Sequence, residues 1–121
     1  MYEPKLGKDI RCPLEYGLRL FGGKWKTRII CLLSENQPLR YSTLRTRMVG
    51  ITDNMLATTL KELIADGMVS RQSYEEVPPR VEYALTEKGT SSIPLIHTIC
   101  EWSSQYHTDY TMSQCQVCPY K

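Results

Sequence analysis

Two kinds of chemistry are open to this chain's residues: thiol chemistry, and recognition of an anionic, hydrogen-bonding surface. Cys12 stands between Arg11 and Pro13. Proline suits the first turn of a helix, so Cys12 is the expected N-cap. There, orphan N–H groups and the positive end of the helix dipole favour the thiolate, the form that reacts, and Arg11 adds charge. The alternative is a small apolar residue packed under an interface. Cys115 and Cys118 form a Cys-x-x-Cys pair, the spacing of a redox couple or of half a zinc site. They are weak metal candidates, because two further ligands would have to come from Cys12, His107 or a second subunit. Two unpaired thiols on a mobile tail is the simpler reading. Cys31 and Cys100 fall on apolar helical faces and read as core. His97 and His107 stand alone, as structural or solvated histidines do.

The second kind of chemistry gathers in the middle of the chain. Arg40, Arg45 and Arg47 flank Ser42 and Thr43. Hydroxyls and guanidiniums at the start of a helix suit phosphate. Thr52 and Asp53 then open a helix on which Asn54, Thr58 and Lys61 share one face. Asn can bond adenine bidentately, Thr can offer a hydroxyl or a methyl, and Lys can meet phosphate or guanine. Arg80 follows a Pro-rich turn, where it could reach a minor groove or its phosphates. Glu75 and Glu76 beside it limit how basic that turn can be. Each group has a plainer reading as a solvated face, so the elements that position the groups decide between the two.

Those elements follow from periodicity. Leu14, Leu18 and Phe21 mark a first helix ended by Gly22-Gly23. A second begins near Lys24 and carries Trp25, Ile29, Leu32 and Leu33, with Asn36-Gln37-Pro38 as its stop. A short helix of about 41–48 turns Leu44 and Met48 inward, and Val49-Gly50-Ile51 makes a tight turn. Thr52 caps the clearest helix, whose apolar face is Met55, Leu56, Leu60, Leu63 and Ile64. Advancing about 100° per residue puts Asn54, Thr58, Lys61 and Ala65 opposite that face. Asp66-Gly67 closes it. Residues 68–74 are strand-like, 75–79 form a turn, and Val81, Tyr83 and Leu85 alternate with polar neighbours as in a half-buried strand. Thr86 caps a last helix running towards Tyr110, with Pro94 in an early turn or at a kink. Residues 111–121 lack a pattern.

The 121 residues fit one domain. No apolar run approaches the roughly 20 residues that span a bilayer. The opening Met1-Tyr2-Glu3-Pro4-Lys5 lacks the apolar stretch of a secretory leader. Five cysteines, an odd number, are then expected as reduced thiols in the cytoplasm. Net charge is +2, but it is uneven: residues 1–50 carry +6, residues 51–90 carry −3 and residues 91–121 carry −1. A basic half points to an anionic partner, nucleic acid being the commonest. The expected organisation is an N-terminal arm at 1–11, one domain at 12–110 and a mobile Cys-containing tail at 111–121.

Helix, helix, short helix, tight turn, amphipathic helix, hairpin, long helix is the order of a winged helix-turn-helix, a mainly α fold with a small β-hairpin. In it the second helix of the pair enters the major groove. The motifs agree. Cys12-Pro13, Gly22-Gly23-Lys24-Trp25, Arg40-Tyr41-Ser42-Thr43-Leu44, Gly50-Ile51-Thr52, Met55-Leu56, Leu60-Lys61-Glu62-Leu63 and Asp66-Gly67 occur in sequence. The run from Val77 through Pro78-Pro79-Arg80-Val81-Glu82-Tyr83-Ala84-Leu85-Thr86 to Gly89 follows. Over about residues 11–102 the chain resembles the HxlR-type bacterial transcription regulators, relatives of the MarR group. The resemblance implies a homodimer on a palindromic operator, its recognition helices about one turn, ~34 Å, apart. It implies dimerisation through the first and last helices, here Leu14, Leu18 and Phe21 with Ile96, Ile99, Trp102 and Tyr106. Burial within one chain is the alternative for those seven. Some members sense oxidants or electrophiles through a Cys-Pro cysteine, the position of Cys12. The family varies at Asp53 and Asn54, so no operator sequence carries over.

The expectation is therefore a DNA-binding regulator, partnered by double-stranded DNA and a second copy of itself, with no membrane partner, no cofactor and an unknown small-molecule effector. An enzyme is not expected, since no Ser/His/Asp set, phosphate loop or paired acids appear. The alternatives are a winged-helix protein–protein module, and a thiol- or metal-sensing protein using Cys115 and Cys118.

Overall fold

Proline, with its fixed φ and missing N–H, opens helix α1 (Pro13–Phe21), and Cys12 is its N-cap with an extended backbone. Gly23, at φ 97°, turns the chain after it. Helix α2 (Lys26–Glu35) starts two residues later than its apolar spacing predicts, with Trp25 as N-cap. A two-residue strand, β1 (Leu39–Arg40), leads straight into α3 (Tyr41–Arg47). Gly50, at φ 92°, makes the turn to α4 (Asp53–Ala65). There the Thr52 hydroxyl accepts from the Met55 amide at 3.1 Å, the expected cap. Strands β2 (Val69–Tyr74) and β3 (Arg80–Leu85) form the hairpin. Thr86 caps α5 (Glu87–Ser91), and α6 (Ile93–Ser104) follows. The computed structural model describes residues 10–107.

Two elements depart from expectation. The single last helix is two: it breaks at Ser92, because Pro94 in the first turn of α6 has no N–H with which to continue α5. The described helix also ends at Ser104, short of Tyr110. The second departure is β1, which adds a third strand. The sheet is antiparallel in the order β1-β3-β2, with Leu39 opposite Tyr83, and Val69 and Tyr74 opposite Leu85 and Arg80. Strand β3 is thus central, which is why Arg80, Glu82 and Ala84 are half-buried as well as Val81 and Leu85. The Leu85 amide donates to the Gln37 side-chain oxygen at 2.7 Å, tying the segment before β1 to the end of β3.

The core is built from Ile29, Ile30 and Leu33 of α2, Leu44 of α3, Leu56, Leu60 and Leu63 of α4, Met68, Val69 and Tyr83 of the sheet region, and Ile96 of α6. Each such aliphatic side chain contributes about 1.5–3 kcal/mol by leaving water. Helices α1 and α6 both pack on α2. Cys31 and Cys100 pack partly buried against the core, as their spacing predicts.

Polar links fix α4 at its flanks. Buried Lys26 of α2 pairs with Glu62 at 3.5 Å. Arg19 of α1 pairs with Asp66, the C-cap of α4, at 3.3 Å. Lys88 of α5 donates to the Asp66 carbonyl at 2.8 Å and to the Tyr16 hydroxyl of α1 at 2.7 Å. Helix α4 is therefore held by α1, α2 and α5 together.

Candidate nucleic-acid interface

Asn54, Thr58 and Lys61 are exposed along one stripe of α4, while Leu56, Thr59, Leu60 and Leu63 are buried on the other side. Polar groups at a spacing of three to four residues on a helix, backed by a packed core, have the geometry to face the base edges of a major groove. Met55 stays partly exposed, and Thr59 takes the inward place that hydropathy alone assigns to a larger apolar residue.

Phosphate candidates flank the stripe. Arg40 immediately precedes α3, Ser42 is exposed in its first turn, and Arg47 is exposed at its end; Thr43 is half-buried. Among the described residues no carboxylate lies within ion-pair distance of Arg40, Arg47 or Lys61. Their charges are available to an outside anion.

Arg45, Thr52 and Asp53 have intramolecular roles. The Arg45 Nε donates to Asp53 Oδ1 at 2.7 Å, and the Tyr41 hydroxyl donates to the Asp53 carbonyl and carboxylate at 3.3 and 3.4 Å. The first turn of α4 is thereby clamped to both ends of α3. Burial holds the Tyr41 phenol above its ordinary value, and the Asp53 charge pushes it further the same way. Thr52 accepts its capping bond and keeps its hydroxyl proton to give.

Arg80 is held by the wing itself. Its guanidinium lies 3.9 Å from the centre of the Tyr74 ring, 3.1 Å from a Glu76 oxygen and 3.7 Å from a Glu82 oxygen. Of the two acids that limit a basic wing in the sequence, Glu76 is one of the pair that holds Arg80; the other is Glu82, from β3 itself.

Cys12 is exposed, with a free thiol that makes no capping hydrogen bond to α1. Cys115 and Cys118 lie outside the described residues, as does the proposed tail boundary. Among the described residues no group of three His, Cys, Asp or Glu side chains could hold a metal, and no helix is long and apolar enough to cross a membrane.

The residues assigned to a dimer contact divide. Leu14 and Leu18 of α1 are 68% and 59% exposed, and Ile99, Trp102 and Tyr106 at the far end are 50%, 62% and 74% exposed. The Trp102 and Tyr106 rings lie 5.5 Å apart. Phe21 is partly buried against the core. Ile96 is a correction: at 6% exposure it belongs to the chain's own core, because the packing of α6 on α2 turns it inward.

Helix pair, clamped first turn, exposed polar stripe and three-stranded wing define the winged helix-turn-helix class of transcription regulators, and the known proteins agree. The sequence model of the HxlR-like helix-turn-helix family matches residues 20–111, and the chain belongs to that family. An uncharacterized HTH-type transcriptional regulator of Halalkalibacterium halodurans is 46% identical over 101 residues, covering 84% of this chain and 89% of that protein. One of Methanothermobacter thermautotrophicus is 46% identical over 95 residues, covering 78% and 72%. Among solved structures, the reduced form of the regulator YodB from Bacillus subtilis superposes with a TM-score of 0.74 at 33% identity, covering 84% of this chain and all of that one. The oxidized form of the redox regulator HypR gives 0.71 at 38% identity, covering 79% and 98%. The chain is a transcription regulator with a helix-turn-helix DNA-binding domain.

Proposed function

We propose that the chain acts as a homodimer on a palindromic operator, and that modification of Cys12 changes its affinity for that DNA. The observation that carries the reading is the set of exposed apolar side chains Leu14 and Leu18 of α1, Ile99 and Trp102 of α6 and Tyr106 just beyond it, α1 and α6 both packing on α2. So much large apolar surface on a small domain suits an interface, and a second copy presents the same surface by twofold symmetry. Two α4 stripes would then read two half-sites, with Arg40, Ser42, Thr43 and Arg47 on the backbone. Asn54, Thr58 and Lys61 would meet the groove.

The redox part rests on Cys12. Its thiol is exposed and free, one turn before Tyr16 and two before Arg19, which reach the α5 and α4 side of the fold. A group added at Cys12 would shift α1 and act on both the dimer contact and the Asp66 end of α4. A coupling of about 1–3 kcal/mol suffices for a switch. Similarity to HypR and YodB, the first named a redox regulator and the second also solved after diamide treatment, supports the reading.

The test is binding to a fluorescent fragment of DNA from upstream of its own gene, with a scrambled fragment beside it, using reduced and diamide-treated protein. Selective binding as a dimer that changes on oxidation is the expected result. Cys12→Ser should bind selectively and ignore diamide. Selective binding that ignores oxidant in the parent removes the thiol mechanism, and a response lost only in Cys115→Ser/Cys118→Ser moves the sensor to those residues. A monomer by sedimentation, with no selective binding, refutes the dimeric operator reading and turns attention to a protein–protein module.

A further inference from the structure

Trp25 carries two cations. The Lys24 ammonium and the Arg28 guanidinium each lie 4.9 Å from the centre of its ring. Both side chains are exposed, and among the described residues neither has a carboxylate within ion-pair distance. A cation on an indole face is held in place without being neutralised, so it remains available to an anion.

The platform itself is fixed beside the helix-turn-helix. A β-carbon at Gly50, in the turn between α3 and α4, would stand 4.0 Å from the outer edge of the Trp25 ring. One residue further on, buried Lys26 pairs with Glu62 of α4 at 3.5 Å. The stretch 24–28 is therefore docked against both the turn and the recognition helix. The turn it docks against carries no acid, its residues 47–52 being Arg-Met-Val-Gly-Ile-Thr, and Arg47 and Lys61 are exposed on the two helices that the turn joins.

The geometry points to Lys24 and Arg28 as a further phosphate contact of the DNA interface, a ridge on α2 that grips the backbone beside the groove entered by α4. This rests on α4 being the DNA-facing helix. The occupant is a duplex backbone: the ridge is cationic, and its Trp25 platform and neighbouring Lys26 tie it to the turn before α4 and to Glu62 of α4, the helix that carries Asn54, Thr58 and Lys61. Lys26, the third cation of the stretch, is excluded from that role because its charge is already matched by Glu62.

The experiment is the salt dependence of binding by the full chain and by the Lys24→Gln/Arg28→Gln variant. Two duplexes of about three helical turns are used, one from upstream of the protein's own gene and one scrambled. Each phosphate contact contributes about 0.9 to the slope of log affinity against log salt. The variant should lose about 1.8 in slope per subunit on both duplexes, with the circular dichroism spectrum unchanged and Tm lowered by only a few degrees through the two lost cation–π contacts. An unchanged slope overturns the ridge while leaving DNA binding intact. Loss confined to the upstream duplex overturns it too, because a phosphate contact is blind to sequence. No salt dependence in the parent chain removes the DNA-facing role of α4 and the ridge with it.

Discussion

Asp53→Asn separates a clamp from a reader. The Asp53 carboxylate holds Arg45 at 2.7 Å and Tyr41 at 3.4 Å, at the point where α4 would meet DNA. The pair is exposed, Arg45 at 42% and Asp53 at 75%, so solvent screening limits its share of stability to a few tenths of a kcal/mol. The charge also favours the start of α4, by about 0.3–1 kcal/mol. Neutralising it should cost about 1 kcal/mol, a fall in Tm of about 5 °C. Binding should move the other way. Arg45 is released and a negative charge is removed from the face presented to phosphate. One added contact steepens the salt slope by about 0.9 per subunit, a gain of about eightfold at about 0.1 M salt. The gain should be equal on an upstream and a scrambled duplex, measured by fluorescence anisotropy beside a thermal melt. Weaker binding to one sequence only would refute the clamp and make Asp53 a direct reader, for instance of a cytosine amino group.

Other expectations follow from single contacts. Arg80→Ala should cost about 1 kcal/mol through the lost Tyr74 stack, and weaken DNA binding with no change of salt slope, because its charge is matched by Glu76 and Glu82; a slope shallower by about 0.9 per subunit would place it on phosphate. Gly89→Ala should cost about 3 kcal/mol or more, since its β-carbon would run into the Met68 carbonyl, and backbone cannot move aside as a side chain can; a Tm within about 2 °C of the parent would contradict the packing. Stability should fall with alkali as pH rises above about 10, where the unfolded chain loses the Tyr41 proton that the folded chain retains. In Asp53→Asn that loss should shift to lower pH in a spectroscopic tyrosine titration.

The elements with a strong local signal were legible from sequence. Gly50, Thr52 and the alternation of Val81, Tyr83 and Leu85 place the turn, helix α4 and the hairpin where they are found. The exposed stripe of Asn54, Thr58 and Lys61 follows from helical geometry alone. What periodicity missed depends on partners distant in sequence. A two-residue strand such as β1 has no period to detect, and exists because β3 offers it a free edge. Lys26 reads as surface until Glu62 is seen beside it. Ile96 reads as one apolar residue among several on α6, and its inward direction is set by α2. Lys24 and Arg28 flank an aromatic residue, which is the one local hint of the platform they form.

Strand β3 lies between β2 and the two residues that run directly into α3, and Gln37 bonds its last amide. Wing and helix pair are consequently one rigid piece, with a fixed span between the start of α3 and the hairpin. Such a piece works as a calliper. DNA whose groove width matches the span fits without deformation, while other sequences must be bent or squeezed at an energy that depends on their stacking. Base pairs that no side chain touches then influence which sites are occupied, through stiffness instead of hydrogen bonds.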